Sequence, residues 1–291
     1  MKPVPAIISE NDIKKPVFMI REINQSFFDN KFHFHEECQL AYIIKGNGKR
    51  IIGDSVEYFE ENELIFLGSG LPHIWFNANS KKESKKKNKS ISRSLFISPN
   101  KFTEHFSAFG EIQKVEQLFQ KAQRGMFITG QTKKKMIDML LKISSNHGIA
   151  DIIILLQILQ ILISTHEYHL LAGSNYVNNF QNRDNERMDK VYQYLLKNFK
   201  EEITLQQVAT VASMNPNAFC RYFKSHTQKS CTRFINELRI SYACKLLAYK
   251  NESITQIAYE CGFNNVSNFN RCFKMIKKSN PGKYRKDLEM M

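Results

Sequence analysis

The sequence predicts an α+β chain of two domains, an N-terminal β-barrel or sandwich that acquires helices and an all-α C-terminal domain. Three observations carry this reading. Residues 17–80 hold short alternating or apolar runs broken by turn signals; from about residue 101 the apolar spacing becomes helical; and the last hundred residues contain an internal repeat. Many short strands at close spacing point to closed or stacked sheets, and recurrence near 3.6 residues to helices. A chain of 291 residues is long enough for two cores.

In chain order, MKPVPAIISENDIKK has no apolar segment, so no secretory signal is expected. FHFHEECQL (32–40) puts His33 and His35 two positions apart on an expected strand. Alternation would place both imidazoles on one face, with Gln39 on the same face two alternations on. Such a pair opens a metal site in some barrels and a polar ligand pocket in others. The runs QLAYIIK and ELIFLG are separated by the turn signals GNGKR (46–50), GDS (53–55) and GSGLPH (68–73). KKESKKKNKSISR (81–93), with seven bases and one acid, reads as a solvated loop. Helical spacing follows in KKKMIDMLLKISSN (133–146). IADIIILLQILQILIS (149–164) is shorter than the roughly 20 residues that span a bilayer, and Asp151, Gln157 and Gln160 interrupt it. It is expected to be a buried or dimer-forming helix. GSNYVNNFQNRDNERM (173–188) reads as a linker. The organisation is therefore residues 1–100, a β-domain; 101–172, a helical region; 173–188, a linker; and 189–291, the all-α domain.

The net charge of +14 is uneven. Residues 184–291 carry 18 bases against 10 acids, whereas the N-terminal part is balanced outside the 81–93 run. A domain that is basic as a whole suggests a polyanionic partner. The six cysteines form no CxxC pair. Five fall in helical segments, where a free thiol acts as a small buried apolar group, and a reducing cytoplasm fits.

The repeat aligns VATVASMNPNAFCRYFK (208–224) with IAYECGFNNVSNFNRCFK (257–274). Ala209 matches Ala258 at an offset of 49, and Phe219, Arg221, Phe223 and Lys224 match Phe269, Arg271, Phe273 and Lys274 at an offset of 50. The extra residue falls in the turn between two short helices. Each copy reads helix, tight turn, helix, with Ala where the helices cross and two Phe four apart on the buried face. TRFINELRISYACKLLAYK (232–250), with Phe234, Leu238, Leu246 and Leu247 at helical spacing, joins the copies as one long helix. Recognition helices on one face would enter successive major grooves about 34 Å apart.

These residues resemble the DNA-binding domain of the AraC/XylS family of bacterial transcription regulators, through Ile257-Ala258, Gly262-Phe263, Phe269, Arg271, Phe273-Lys274, Pro281 and Tyr284-Arg285. Gln228 and Lys278 stand where the family usually has glycine, and Asn280 where it has Ser or Thr. The resemblance implies base contacts from Asn217, Ala218, Cys220 and Arg221 in the first unit and from Val266, Ser267, Asn270 and Arg271 in the second. Arg is suited to guanine, Asn to adenine, and Ala or Val to a thymine methyl. Lys224, Lys274, Lys277 and Arg285 are assigned to phosphates.

The N-terminal part resembles the cupin-type sensor domain of the same family, its motifs running from His33 and His35 to Gly46 and through Gly70, His73 and Asn77. Metal-binding cupins use three histidines and a glutamate. Here these map to His33, His35 and His73, with neutral Gln39 at the glutamate position. The resemblance therefore implies a metal-free effector pocket of His33, His35, Gln39, His73 and Trp75, with no cofactor. The expected protein is a cytoplasmic, nucleoid-associated regulator, not an enzyme. It would be a homodimer bound to double-stranded promoter DNA and responsive to a small-molecule effector, with RNA polymerase as a further partner and no membrane association. The competing readings are a metal-dependent cupin enzyme fused to a DNA-binding domain and a constitutive architectural DNA-binding protein.

Overall fold

The computed structural model describes residues 16–28, 31–77, 89–108, 110, 112–144, 146, 148–177 and 185–289. The first fifteen residues, positions 81–88 of the basic run and 178–184 of the expected linker lie outside them. The chain folds as two compact units, the first of residues 1–55 and 59–178, the second of residues 179–291 with 56–58.

The first unit is built on two sheets. Its strands are β1 (Phe18–Gln25), β2 (Cys38–Lys45), β3 (Gly48–Ile52), β4 (Ser55–Phe59), β5 (Glu63–Leu67), β6 (His73–Phe76), β7 (Ser90–Ile97), β8 (Met126–Ile128) and β9 (Tyr168–Leu170). Six of them form one sheet in the order β1-β7-β2-β5-β8-β9, and three form a second in the order β4-β3-β6. The expected closed barrel is therefore corrected: among the described residues β1 and β9 are free edges, and the architecture is two open sheets. The region expected to be helical throughout is corrected too, because β8 and β9 extend the sheet beyond β5.

Four helices cover one face of the large sheet: α1 (Pro99–Phe106), α2 (Ile112–Ala122), α3 (Gly130–Lys142) and α4 (Ile149–Ser164). Leu40, Leu64, Phe66 and Leu95 meet Leu118, Met136, Leu155 and Leu159 there. The other face packs Ala41, Ile43, Ile65 and Leu67 against Phe28, Phe59 and Trp75. Covered on both faces, β2 and β5 read as near-continuous apolar runs. The apolar run 149–164 is α4 from end to end. Asp151, an apparent interruption, caps it: the buried carboxylate accepts from Ser144 N (2.7 Å), Ser144 Oγ (2.9 Å) and Gly148 N (3.2 Å). Arg93, expected in a solvated loop, lies in β7, donates to the carbonyls of Leu140 and Ile143 and pairs with Glu22.

The second unit is all helical: α5 (Asn185–Asn198), α6 (Leu205–Val211), α7 (Pro216–Thr227), α8 (Cys231–Tyr249), α9 (Ile254–Glu260), α10 (Val266–Lys277) and α11 (Pro281–Glu289). α8 is the expected connector, with Phe234, Leu238, Leu246 and Leu247 all buried.

Candidate functional sites

The repeat is carried by its caps as well as its core. Thr204 caps α6 and Ser253 caps α9, each in a capping box with a glutamine three residues on. Asn215 Oδ1 accepts from Ala218 N and Asn265 Oδ1 from Asn268 N, both at 2.8 Å. Ser213 and Gly262 both take a positive φ in the turn, and Met214 N and Phe263 N donate to Ala209 O and Ala258 O. These equivalences hold at an offset of 49 up to Met214 and Phe263, and at 50 from Asn215 and Asn265 onward, so Asn264 is the inserted residue. Gln228 and Lys278 end α7 and α10 in the left-handed conformation, at φ 59° and 57°. Each costs roughly 1 kcal/mol relative to glycine. Ser230 caps α8, and Asn280 Oδ1 accepts from Lys283 N at 2.7 Å, doing for α11 what Ser or Thr would do.

Burial of Phe219 and Phe223, and of Phe269 and Phe273, turns the opposite face of each helix to solvent. Asn217, Cys220, Arg221 and Lys224 are exposed on α7, and Ser267, Asn270, Arg271 and Lys274 on α10; Ala218 and Val266 are half-buried beside them. All eight expected base-reading positions and two of the four phosphate positions thus lie on faces a duplex can reach. Arg271 already bonds Asn268 Oδ1 at 2.9 Å. Lys277 is half-buried, and Arg285 donates to Glu252 O at 2.7 Å, which ties its guanidinium into the domain. The expectation that the helical thiols are buried is corrected at two of them: Cys220 is exposed and Cys244 half-buried.

A short segment between α5 and α6 joins the two units of the repeat. Arg239 on α8 donates to Phe199 O (2.7 Å) and Glu201 O (2.9 Å). The carbonyl between them, on Lys200, lies where a Cβ on Gly262 would sit, only 2.4 Å from it. Lys200 Nζ bonds Tyr242 OH (2.9 Å), Tyr242 bonds Glu260 (3.0 Å), and Glu260 pairs with Lys250 (2.8 Å). No sequence pattern marks this network, whose bonds span from 10 to 42 residues of chain.

In the first unit, the three motif histidines meet, though not by strand alternation. His33 and His35 lie outside the named strands, which corrects that expectation. Backbone bonds gather them instead: His33 N donates to His73 O (3.2 Å), His73 N to His33 O (2.9 Å) and Gly70 N to His35 O (2.8 Å). Gly70 makes the last bond from φ +73°, a backbone that favours glycine. The rings lie 4.4 to 5.9 Å apart. Each Nδ1 faces a backbone carbonyl: Lys31 O at 2.6 Å for His33, Glu37 O at 2.8 Å for His35 and Leu71 O at 2.8 Å for His73. A carbonyl only accepts, so a neutral imidazole held this way carries its proton on Nδ1 and leaves Nε2 bare. Burial, and to a smaller extent the neighbouring rings, pushes His33 down to about 4 and His73 well below its ordinary range. Gln39 Oε1 is 3.2 Å from His35 Nε2, and its amide donates to Ser94 Oγ at 3.0 Å. Trp75 is buried with its ring 5.5 Å from that of His73, and it also packs in the core between the sheets. A separate apolar cavity of about 220 Å³ is lined by Val17, Phe18, Phe106, Ile152 and Leu155 and includes none of these residues.

Two capped helix-turn-helix units on a basic, rigidly joined domain define a DNA-binding protein. Residues 208–287 match the family model described as a helix-turn-helix domain. The chain is 25% identical over 272 residues to an uncharacterized HTH-type transcriptional regulator, YdeC, of Bacillus subtilis, covering 87% of this chain and 85% of the relative. It is 35% identical over 105 residues to the HTH-type transcriptional activator RhaS of Enterobacter sp., covering 36% and 37%. Among solved structures it is similar to the DNA-binding domain of AdpA, crystallised with a target DNA, at 25% identity and a TM-score of 0.33, covering 34% of this chain and 90% of that one. The C-terminal unit is a helix-turn-helix DNA-binding domain, and the chain is similar to transcription regulators that carry one. No helix among the described residues is long and apolar enough to cross a membrane.

Proposed function

We propose that this regulator controls promoters through residues 189–291 in response to a ligand bound at the histidine cluster of its N-terminal unit, and that it is not an enzyme. The observation that carries the DNA-reading half is the match of the two units, cap for cap, with an Arg and a Lys exposed at equivalent positions of α7 and α10. Arg221 and Arg271 read bases, supported by Asn217, Ala218, Cys220, Val266, Ser267 and Asn270. Lys224 and Lys274 hold phosphates and Lys277 assists, whereas Arg285 acts mainly within the fold. The sensing half rests on the convergence of His33, His35, Gln39, His73 and Trp75 between the sheets. A homodimer is supported by α4, where Ile149, Ile153 and Leu156, at spacings of four and three, leave an apolar seam exposed (79%, 50% and 39%). The test is selection of duplexes from a random pool by the full chain, followed by affinity against selected and random DNA at several salt concentrations. Preference for selected duplexes, with affinity falling steeply as salt rises, is expected from phosphate counterion release. Equal affinity for both pools would sink the base-reading assignment.

A further inference from the structure

We infer that Asn268 is a positioning residue for base reading: its side chain holds the guanidinium of Arg271 on the exposed face of α10, an arrangement that the first unit lacks. The inference rests on the DNA-reading role proposed above, and it names a residue that acts through Arg271 instead of on a base.

A chain of bonds runs from the helix start to the guanidinium. Asn268 N donates to the cap, Asn265 Oδ1, at 2.8 Å, which fixes the backbone of position 268 in the first turn of α10. The side chain is then held from below, where the thiol of buried Cys272, four residues on, donates to Asn268 Oδ1 at 3.6 Å. The same oxygen accepts from Arg271 Nη2, three residues on, at 2.9 Å. Neighbours three and four apart lie on one helix face, so all three side chains meet there. A guanidinium can only donate and a thiol donates weakly, so the oxygen of the Asn268 amide, not its nitrogen, is the end that faces them. Asn268 is half-buried and Arg271 exposed, so a fixed group carries a reaching one. The bond takes one of the five N–H groups of the guanidinium, and a bidentate contact with guanine needs two of the remainder. Arg271 is thus oriented without losing its capacity to read.

The first unit repeats the cap but not the support. At the offset of 50, Asn215 stands for Asn265, whereas Ala218 stands for Asn268 and Tyr222 for Cys272. A methyl group offers no acceptor, so Arg221 is left without this bond. Ordering a long side chain on binding lowers affinity roughly two- to tenfold, a cost that Asn268 removes in advance for Arg271.

The experiment uses the full-length chain and a duplex that the wild type selects from a random pool. Each base pair of that duplex is substituted in turn, and affinity is compared with that for random DNA. The base pair read by Arg271 is the one whose substitution ceases to matter in Arg271→Ala. Asn268→Ala should lower the preference at that same base pair roughly two- to tenfold, with affinity for random DNA unchanged. Alanine is the better helix former, so the melting temperature should hold, which separates positioning from folding. In the Arg271→Ala background, Asn268→Ala should change nothing further. Asn268→Asp keeps the acceptor and should keep the preference, while its charge weakens binding to every duplex alike. An unchanged preference in Asn268→Ala, or an equal loss with and without Arg271, overturns the positioning role and leaves base reading standing. If Arg271→Ala itself leaves every preference unchanged, the base-reading role falls and the positioning role with it.

Discussion

Gly262→Ala and Gly282→Ala are the same chemical change in the same domain, yet they should move stability in opposite directions. At Gly262 the backbone sits at φ +86°, and an added Cβ would lie 2.4 Å from Lys200 O, 2.8 Å from its carbonyl carbon and 2.9 Å from its Cα. A carbon approaches a carbonyl oxygen to about 3.3 Å, so the overlap is close to 0.9 Å. The Lys200 backbone has little room to retreat, because Arg239 holds the carbonyls on either side. Left-handed backbone costs an L-residue about 1 to 2 kcal/mol, and overpacking adds roughly 1 to 3. The expected loss is therefore about 2 to 5 kcal/mol, or at least some 8 °C for a domain of about 100 residues. Gly282 lies in the first turn of α11, where an added Cβ meets only Asn280 Oδ1 at 3.5 Å and Ile254 Cδ1 at 3.6 Å, ordinary contacts. There alanine restricts the unfolded chain and should stabilise by roughly 0.4 to 1 kcal/mol. Urea unfolding of residues 179–291 measures both. A loss below about 2 kcal/mol at position 262, or the same sign at both positions, would refute the close-contact argument, since overlap and strain together set that floor.

Arg221→Ala and Arg271→Ala should each cost about 1 to 3 kcal/mol on selected DNA and little on random DNA, whereas Lys274→Ala should weaken both alike; parallel titrations decide, and equal losses for all three would reduce the arginines to phosphate contacts. Ile153→Glu should convert a dimer to a monomer in sedimentation without unfolding the chain, because the side chain it replaces is half exposed. His33 and His73 keep folded-state values below the ordinary 6.5, so the unfolded chain takes up protons that the fold refuses. Stability should be full above about pH 6.5 and drain as pH falls toward 4, read from thermal melts of the full chain. Melts independent of pH across that window would show that the two rings are solvated. Replacing Gln228 or Lys278 by glycine should stabilise the helical unit by up to about 1 kcal/mol each.

What was legible in the sequence was whatever local chemistry encodes. The two helix-turn-helix units announce themselves through Phe pairs four apart and through Asn, Ser and Thr caps, and the change of offset placed the extra residue in the turn. α4 is the apolar run, residue for residue. The failures are non-local. Met126–Ile128 and Tyr168–Leu170 are three residues each, too short for any period, and become strands only because β5 offers an edge. Ser90–Arg93 belongs to β7, but the lysines before it hid the alternation. The histidines were correctly grouped for the wrong reason: a reciprocal backbone bridge between His33 and His73 brings them together. The composition of the motif does not reveal that each Nδ1 is committed to a backbone carbonyl.

The segment Phe199–Glu201 has a consequence for the promoter. Its outer carbonyls are fixed by Arg239 and its central one lies in the hollow left by Gly262, so α8 is not the only member that sets the separation of α7 and α10. A bridge held at two points resists twisting as well as stretching. Each base pair inserted between two half-sites rotates the second by about 35° around the duplex, given 10 to 10.5 base pairs per turn. A regulator with a slack tether would follow that rotation; this one would meet the backbone where it had met a groove. On the DNA-reading role proposed above, the operator's phase is written into the protein, and a promoter drifts in sequence far more readily than in spacing.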